Sequence, residues 1–120
     1  MDKERFTIDL KKYGVEENVK NYRTILSKPI SEKATNIPLI EFMEVYKDLN
    51  SEKQEVVIKY LRQVIEDSLS IFLGLLDGSS NINQEGKFKL IYEEEGEEPY
   101  LVNNREEDDL LTLWYEDVED

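Results

Sequence analysis

Residues 51–78 read SEKQEVVIKYLRQVIEDSLSIFLGLLDG, and the fold turns on how this stretch is interpreted. Its first half sets Val57, Tyr60, Leu61, Val64 and Ile65 at spacings of three and four, the pattern of an amphipathic helix. Its second half, Leu69-Ser70-Ile71-Phe72-Leu73-Gly74-Leu75-Leu76, is apolar nearly all round. A helix without a polar face is usually buried on several sides. The spacing therefore predicts a helix over residues 52–76 as the central element of the core. Ser51 with Gln54 fits a capping box at its start, and Asp77-Gly78 begins a turn-rich break at its end. Gly74 lowers helix propensity by about 1 kcal/mol relative to alanine, which the close approach of another backbone would explain.

Upstream, Phe6, Leu10 and Tyr13 predict a short helix over 3–13, with Gly14 as its stop. Val15, Val19, Tyr22, Ile25 and Leu26 predict a second helix over 15–27, ended with the help of Pro29. Residues 28–37 are polar and aperiodic, a loop. Pro38 suits the first turn of a third helix whose stripe is Leu39, Phe42, Met43, Tyr46 and Leu49. Downstream, Phe88, Leu90 and Tyr92 alternate, which predicts a strand over 87–93. Residues 94–99 form a charged connection, and Tyr100-Leu101-Val102 can return as a second strand. Asn104 with Glu107 predicts the cap of a last helix, with Leu111, Trp114, Tyr115 and Val118 on its inner face. The acids at 106–109 would then fall in its first turn, where the helix dipole favours them. The expected fold is α+β and mostly helical. About four N-terminal helices, a small antiparallel hairpin and a C-terminal helix form one domain of 120 residues.

The charge is lopsided. Residues 1–60 carry 11 Lys/Arg and 11 Asp/Glu, whereas residues 61–120 carry 4 and 17, so the second half holds the whole net charge of −13. Glu93, Glu94, Glu95, Glu97 and Glu98 form one block, and Glu106, Glu107, Asp108 and Asp109 a second. Glu116, Asp117, Glu119 and Asp120 form a third, with Arg105 the one cation among the three blocks. Such a field attracts a cationic partner and repels nucleic acid and anionic membrane. Tyr100, set in this charged loop, is the expected exposed contact; Trp114, on an inner helical stripe, is expected in the core. DNA mimicry by carboxylate rows shares the same charge signature.

The chain has no histidine and no cysteine, which removes the commonest acid–base group, the thiol nucleophile and the usual zinc ligands. The run Asp77-x-Ser79-x-Asn81-x-Asn83-x-Glu85 alternates oxygen ligands like a calcium loop. It places Ile82 where that loop needs glycine and Phe88 where it needs a bidentate glutamate, so it reads as a polar turn. No metal and no cofactor are expected. No secretory signal and no run long enough to span a bilayer are evident, and a cytoplasmic location is expected.

At Leu69-x-x-Phe72-Leu73-x-Leu75-Leu76-Asp77-Gly78, followed by a strand and an acidic C-terminal helix, the last half of the chain resembles small bacterial immunity proteins of polymorphic, contact-dependent toxin systems. The resemblance implies a non-catalytic protein that binds one toxin domain and blocks its active site or substrate groove. On that reading the contact residues are Glu93, Glu94, Glu95, Glu97, Glu98, Tyr100, Glu106, Glu107, Asp108 and Asp109. A small acidic secretion-type chaperone or adaptor, holding its client on an exposed apolar groove, is the alternative. A carboxylate-based hydrolase ranks third and would need a buried acid pair with separated pKa values.

Overall fold

A computed structural model describes residues 1–78 and 85–116. Ser79, Asn81, Ile82 and Asn83 of the polar turn lie outside the described residues, as do Val118 and the acids Asp117, Glu119 and Asp120. The elements run α1 (Lys3–Asp9), a π-helical segment (Leu10–Glu16), α2 (Glu17–Ser27), α3 (Ile37–Lys47) and α4 (Ser51–Asp77). Strands β1 (Ile91–Tyr92) and β2 (Tyr100–Leu101) and the short helix α5 (Leu110–Tyr115) follow. The architecture is mostly helical with a two-stranded antiparallel sheet and a closing helix, as the pattern anticipates.

Gly14 does not stop the first helix. It lacks the left-handed φ that a glycine stop requires, positive φ being confined to Gly78 and Gly96 among the described glycines. The turns widen instead into the π segment, so residues 3–27 form one unbroken helical run. A Cβ at Gly14 would lie 3.0 Å from Leu69 Cδ1, so this position is where the first helical run presses on α4. α3 begins one residue before Pro38, with Asn36 as N-cap accepting from Leu39 N. Lys47 near its end donates to Leu26 O and Lys28 O, tying it to the end of α2.

The cap of α4 is Asn50, not Ser51: its side chain accepts from Lys53 N at 2.8 Å. Gln54 turns away from the capping box and donates to Tyr46 O. Gly78, at φ 73°, closes α4 in the left-handed conformation. Leu73 and Gly74 are buried, and Leu73 joins Val15, Val19, Leu26, Ile58, Leu110 and Trp114 in the core. The all-round burial expected for the second half of α4 does not occur. Ile71 and Phe72 face outward, and so do Val56, Tyr60 and Val64 from the first half. A chain of this size places too few elements around a 27-residue helix to cover all its faces.

The sheet pairs Ile91 with Leu101 and Tyr92 with Tyr100. The strand expected over 87–93 is shortened to two residues, and Asn103 supplies the reason. Val102 N donates to Leu90 O, but the next rungs are taken by a side chain. Asn103 Oδ1 accepts from Leu90 N, and its Nδ2 donates to both Phe88 O and Leu76 O. A buried amide thus replaces backbone pairing and ties the hairpin base to the last turn of α4.

Candidate partner-binding surface

The first acid block forms the tip of the hairpin. Glu97 N donates to Glu94 O at 3.0 Å, and Gly96 sits third in this turn at φ 85°, the arrangement of a type II turn. Glu93, Glu94, Glu95, Glu97 and Glu98 are all exposed. Their backbone is shaped by the turn and their side chains are left to solvent. Gly96→Ala should destabilise this turn by about 1–2 kcal/mol, because a Cβ is disfavoured at that φ. Faster hydrogen exchange at Tyr100 and Val102, with the helical run unaffected, is the expected readout.

The second block is built differently. Asn104 does not cap α5. Its Oδ1 accepts from Lys3 Nζ at 3.0 Å and from Glu106 N, and its Nδ2 donates to Leu101 O. Lys3 Nζ also bonds the carbonyl of Glu106, so a nearly buried lysine from the first helix anchors this loop. Residues 106–108 form a bend in which Glu107 takes φ 60°, and they precede the helix instead of opening it. The cap is Asp109, whose Oδ1 accepts from Thr112 N at 2.8 Å. Hydrogen bonds from the Thr112 hydroxyl and from its N–H hold the Asp109 carboxyl below its ordinary range against the cost of burial, helped by nearby Arg105 and Lys3. Glu106, Glu107 and Asp108 remain exposed; Asp109 is half-buried and structural.

Tyr100 is not the exposed contact expected of it. It is half-buried against the core, and its hydroxyl accepts from Lys3 N at 3.2 Å and Asn104 Nδ2 at 3.3 Å. Trp114 is buried, as expected of an inner-stripe residue, with Lys11 Nζ 4.8 Å from its ring centre and bonded to its carbonyl. Tyr115, expected beside it, is exposed, and its hydroxyl meets Ser70 Oγ at 2.6 Å.

The sequence marks Asp77 only as the start of a polar turn and Arg105 only as a lone cation among acids, whereas in the fold both join α4 to the segment that leads into α5. Asp77, only 3% exposed, accepts from Leu110 N at 3.1 Å and Leu111 N at 2.9 Å, so the end of α4 caps the start of α5. Burial pushes its carboxyl above the ordinary value, against the pull of those two N–H groups and of Arg105. Arg105 Nη1 donates to Asp77 O at 2.9 Å. The pKa values of Asp77 and Asp109 move apart, and Asp77, but not Asp109, lines a cavity of about 750 Å³ together with Leu76, Phe88 and Arg105. Burial accounts for the rise at Asp77 and the Thr112 hydrogen bonds for the fall at Asp109, while both carboxylates accept from backbone N–H groups at the head of α5.

Several cations of the helical half are already engaged. Arg62 pairs with Glu16 and Glu66, Arg23 with Glu55, and Lys20 with Glu17. Among the described residues, no ion pair reaches the acids at 93–98 or 106–109. No helix among those residues is long and apolar enough to cross a membrane. The chain matches no protein-family model, and comparisons with curated proteins and with solved structures found no match.

Proposed function

We propose that this chain is an immunity-type protein that binds and neutralises a cationic bacterial toxin domain, without catalysis of its own, through the acid-tipped hairpin. One observation carries the reading: five glutamates stand exposed and without ion pairs among the described residues, on a turn braced to the core by Asn103. A fixed negative tip gives a basic partner both an approach field and a docking register. The exposed acids at 106–108 extend the same field, whereas Tyr100 and Asp109 support it from inside.

The test is a basic toxin candidate encoded beside this chain, with binding followed by stopped flow. Replacing Glu93, Glu94, Glu95, Glu97 and Glu98 together by glutamine should slow association roughly tenfold or more at low salt. The gap should close near 1 M salt, where the Debye length is about 3 Å. Unchanged association and unchanged salt dependence would sink the electrostatic assignment. A bound partner that keeps its full toxicity would sink the inhibitor assignment.

A further inference from the structure

We infer that the outward stripe of α4 is a self-docking surface that pairs two copies of this chain antiparallel about Tyr60. Tyr60, Val56 and Ile71 are 65%, 62% and 61% exposed, and Val64 lies beside them in solvent. Together with exposed Lys53 and Asp67 they follow the spacing three, four, four, three, four along the helix. At roughly 100° per residue, all six lie within about 40° of the Tyr60 direction. This is the seam geometry of a helix that packs on another helix.

The stripe is complementary to itself. Val56 and Val64 lie four residues either side of Tyr60, and Lys53 and Asp67 lie seven either side. A two-fold axis through Tyr60 sets each Val56 against Val64 of the second copy. It sets each Lys53 against Asp67 of the second copy, twice over by symmetry. Parallel pairing would oppose lysine to lysine and aspartate to aspartate, so charge selects the antiparallel register. The dimensions agree that the single chain leaves surface uncovered. It exposes 9089 Å², where a folded monomer of its 14.2 kDa exposes about 6,800 Å². Its radius of gyration is 18.2 Å, against about 14 Å for a compact domain of this length. The net charge of −13 opposes association, but its excess belongs to the acid blocks of the second half, and 0.15 M salt screens it beyond about 8 Å.

The inference stands apart from the toxin reading and is tested without any partner. Sedimentation equilibrium of the full chain in 0.15 M salt should show the mass rising with concentration toward twice 14.2 kDa. Tyr60→Glu should hold it at the mass of one chain with an unchanged circular dichroism spectrum, because the ring it replaces is on the surface. Lys53→Asp and Asp67→Lys should each weaken association roughly threefold to tenfold. Both changes in one chain should restore it. A mass that stays at one chain at every concentration overturns the inference and gives the stripe to an apolar segment of another protein. A dimer indifferent to Tyr60→Glu, or a charge-swapped chain that does not recover, overturns the face or the register.

Discussion

Asn103→Ala detaches the hairpin from the helical body at a cost of about 3 kcal/mol. The side chain is 8% exposed and makes three hydrogen bonds, to Leu90 N, Phe88 O and Leu76 O. Truncation leaves three backbone groups without partners, and an unsatisfied buried group costs about 1–3 kcal/mol. The loss should be local. Exchange at Leu90 and Val102 should rise sharply while Val19 and Ile58 keep most of their protection, because their amides lie inside the helices α2 and α4. Asn103→Asp sharpens the test. It retains the acceptor for Leu90 N but turns the donor toward two carbonyl oxygens into a third acceptor. It should be about as damaging as alanine at neutral pH and partly relieved in acid, where one oxygen regains a proton. Equal exchange in wild type and both variants would show that the hairpin is held by something else.

Asp77→Ala should cost about 2–4 kcal/mol, combining the loss of a helix cap with two stranded donors, Leu110 N and Leu111 N. The pH dependence discriminates further. Burial raises the folded-state pKa of Asp77 above its unfolded value, so between the two values the folded chain holds more protons. The stability that this group contributes is greatest below the unfolded value and falls as pH rises through the folded one. Glu16, lowered mainly by its hydrogen bond to Arg62, and Asp109, lowered by Thr112, act in the opposite sense. Their stability is present above the unfolded value and is lost as pH falls through the folded one. Comparison of wild type with Asp77→Asn removes the shared background. The wild-type advantage should shrink as pH rises from acid to neutral in urea titrations. An advantage that widens instead would mean that the backbone donors outweigh burial.

The helical half was legible in the sequence because its signals are local and repeated. Proline at the head of α3 and the apolar period of α4 each fix an element from within it. The failures are positions where a distant residue decides. Nothing near Gly14 distinguishes a stop from a close contact; Leu69, 55 positions away, makes it a contact. Asn104 and Glu107 have the spacing of a capping box, yet Lys3 holds Asn104 for a loop and leaves the cap to Asp109. Tyr100 sits in a charged segment, but its hydroxyl reaches the first helix. The apolar run 69–76 overstated burial because composition cannot count how many neighbours arrive to cover it. The hairpin glutamates were legible as exposed, since a run of like charges has no stable interior placement. Asn103 carried no local signal, for a single asparagine just past the expected strand 100–102 shows none of its three distant bonds.

The bracing makes the tip of the hairpin independent of the bonds that hold its base. Asn103, Asp77 and Lys3 fix the base of the acidic module, while the carboxylates at its tip make no hydrogen bond or ion pair among the described residues. Exchanging glutamate for another polar residue there leaves those interior bonds in place, so the sequence of the tip can drift with little loss of thermal stability. On the proposed immunity reading, a lineage facing a changing toxin could vary this tip without remaking its fold.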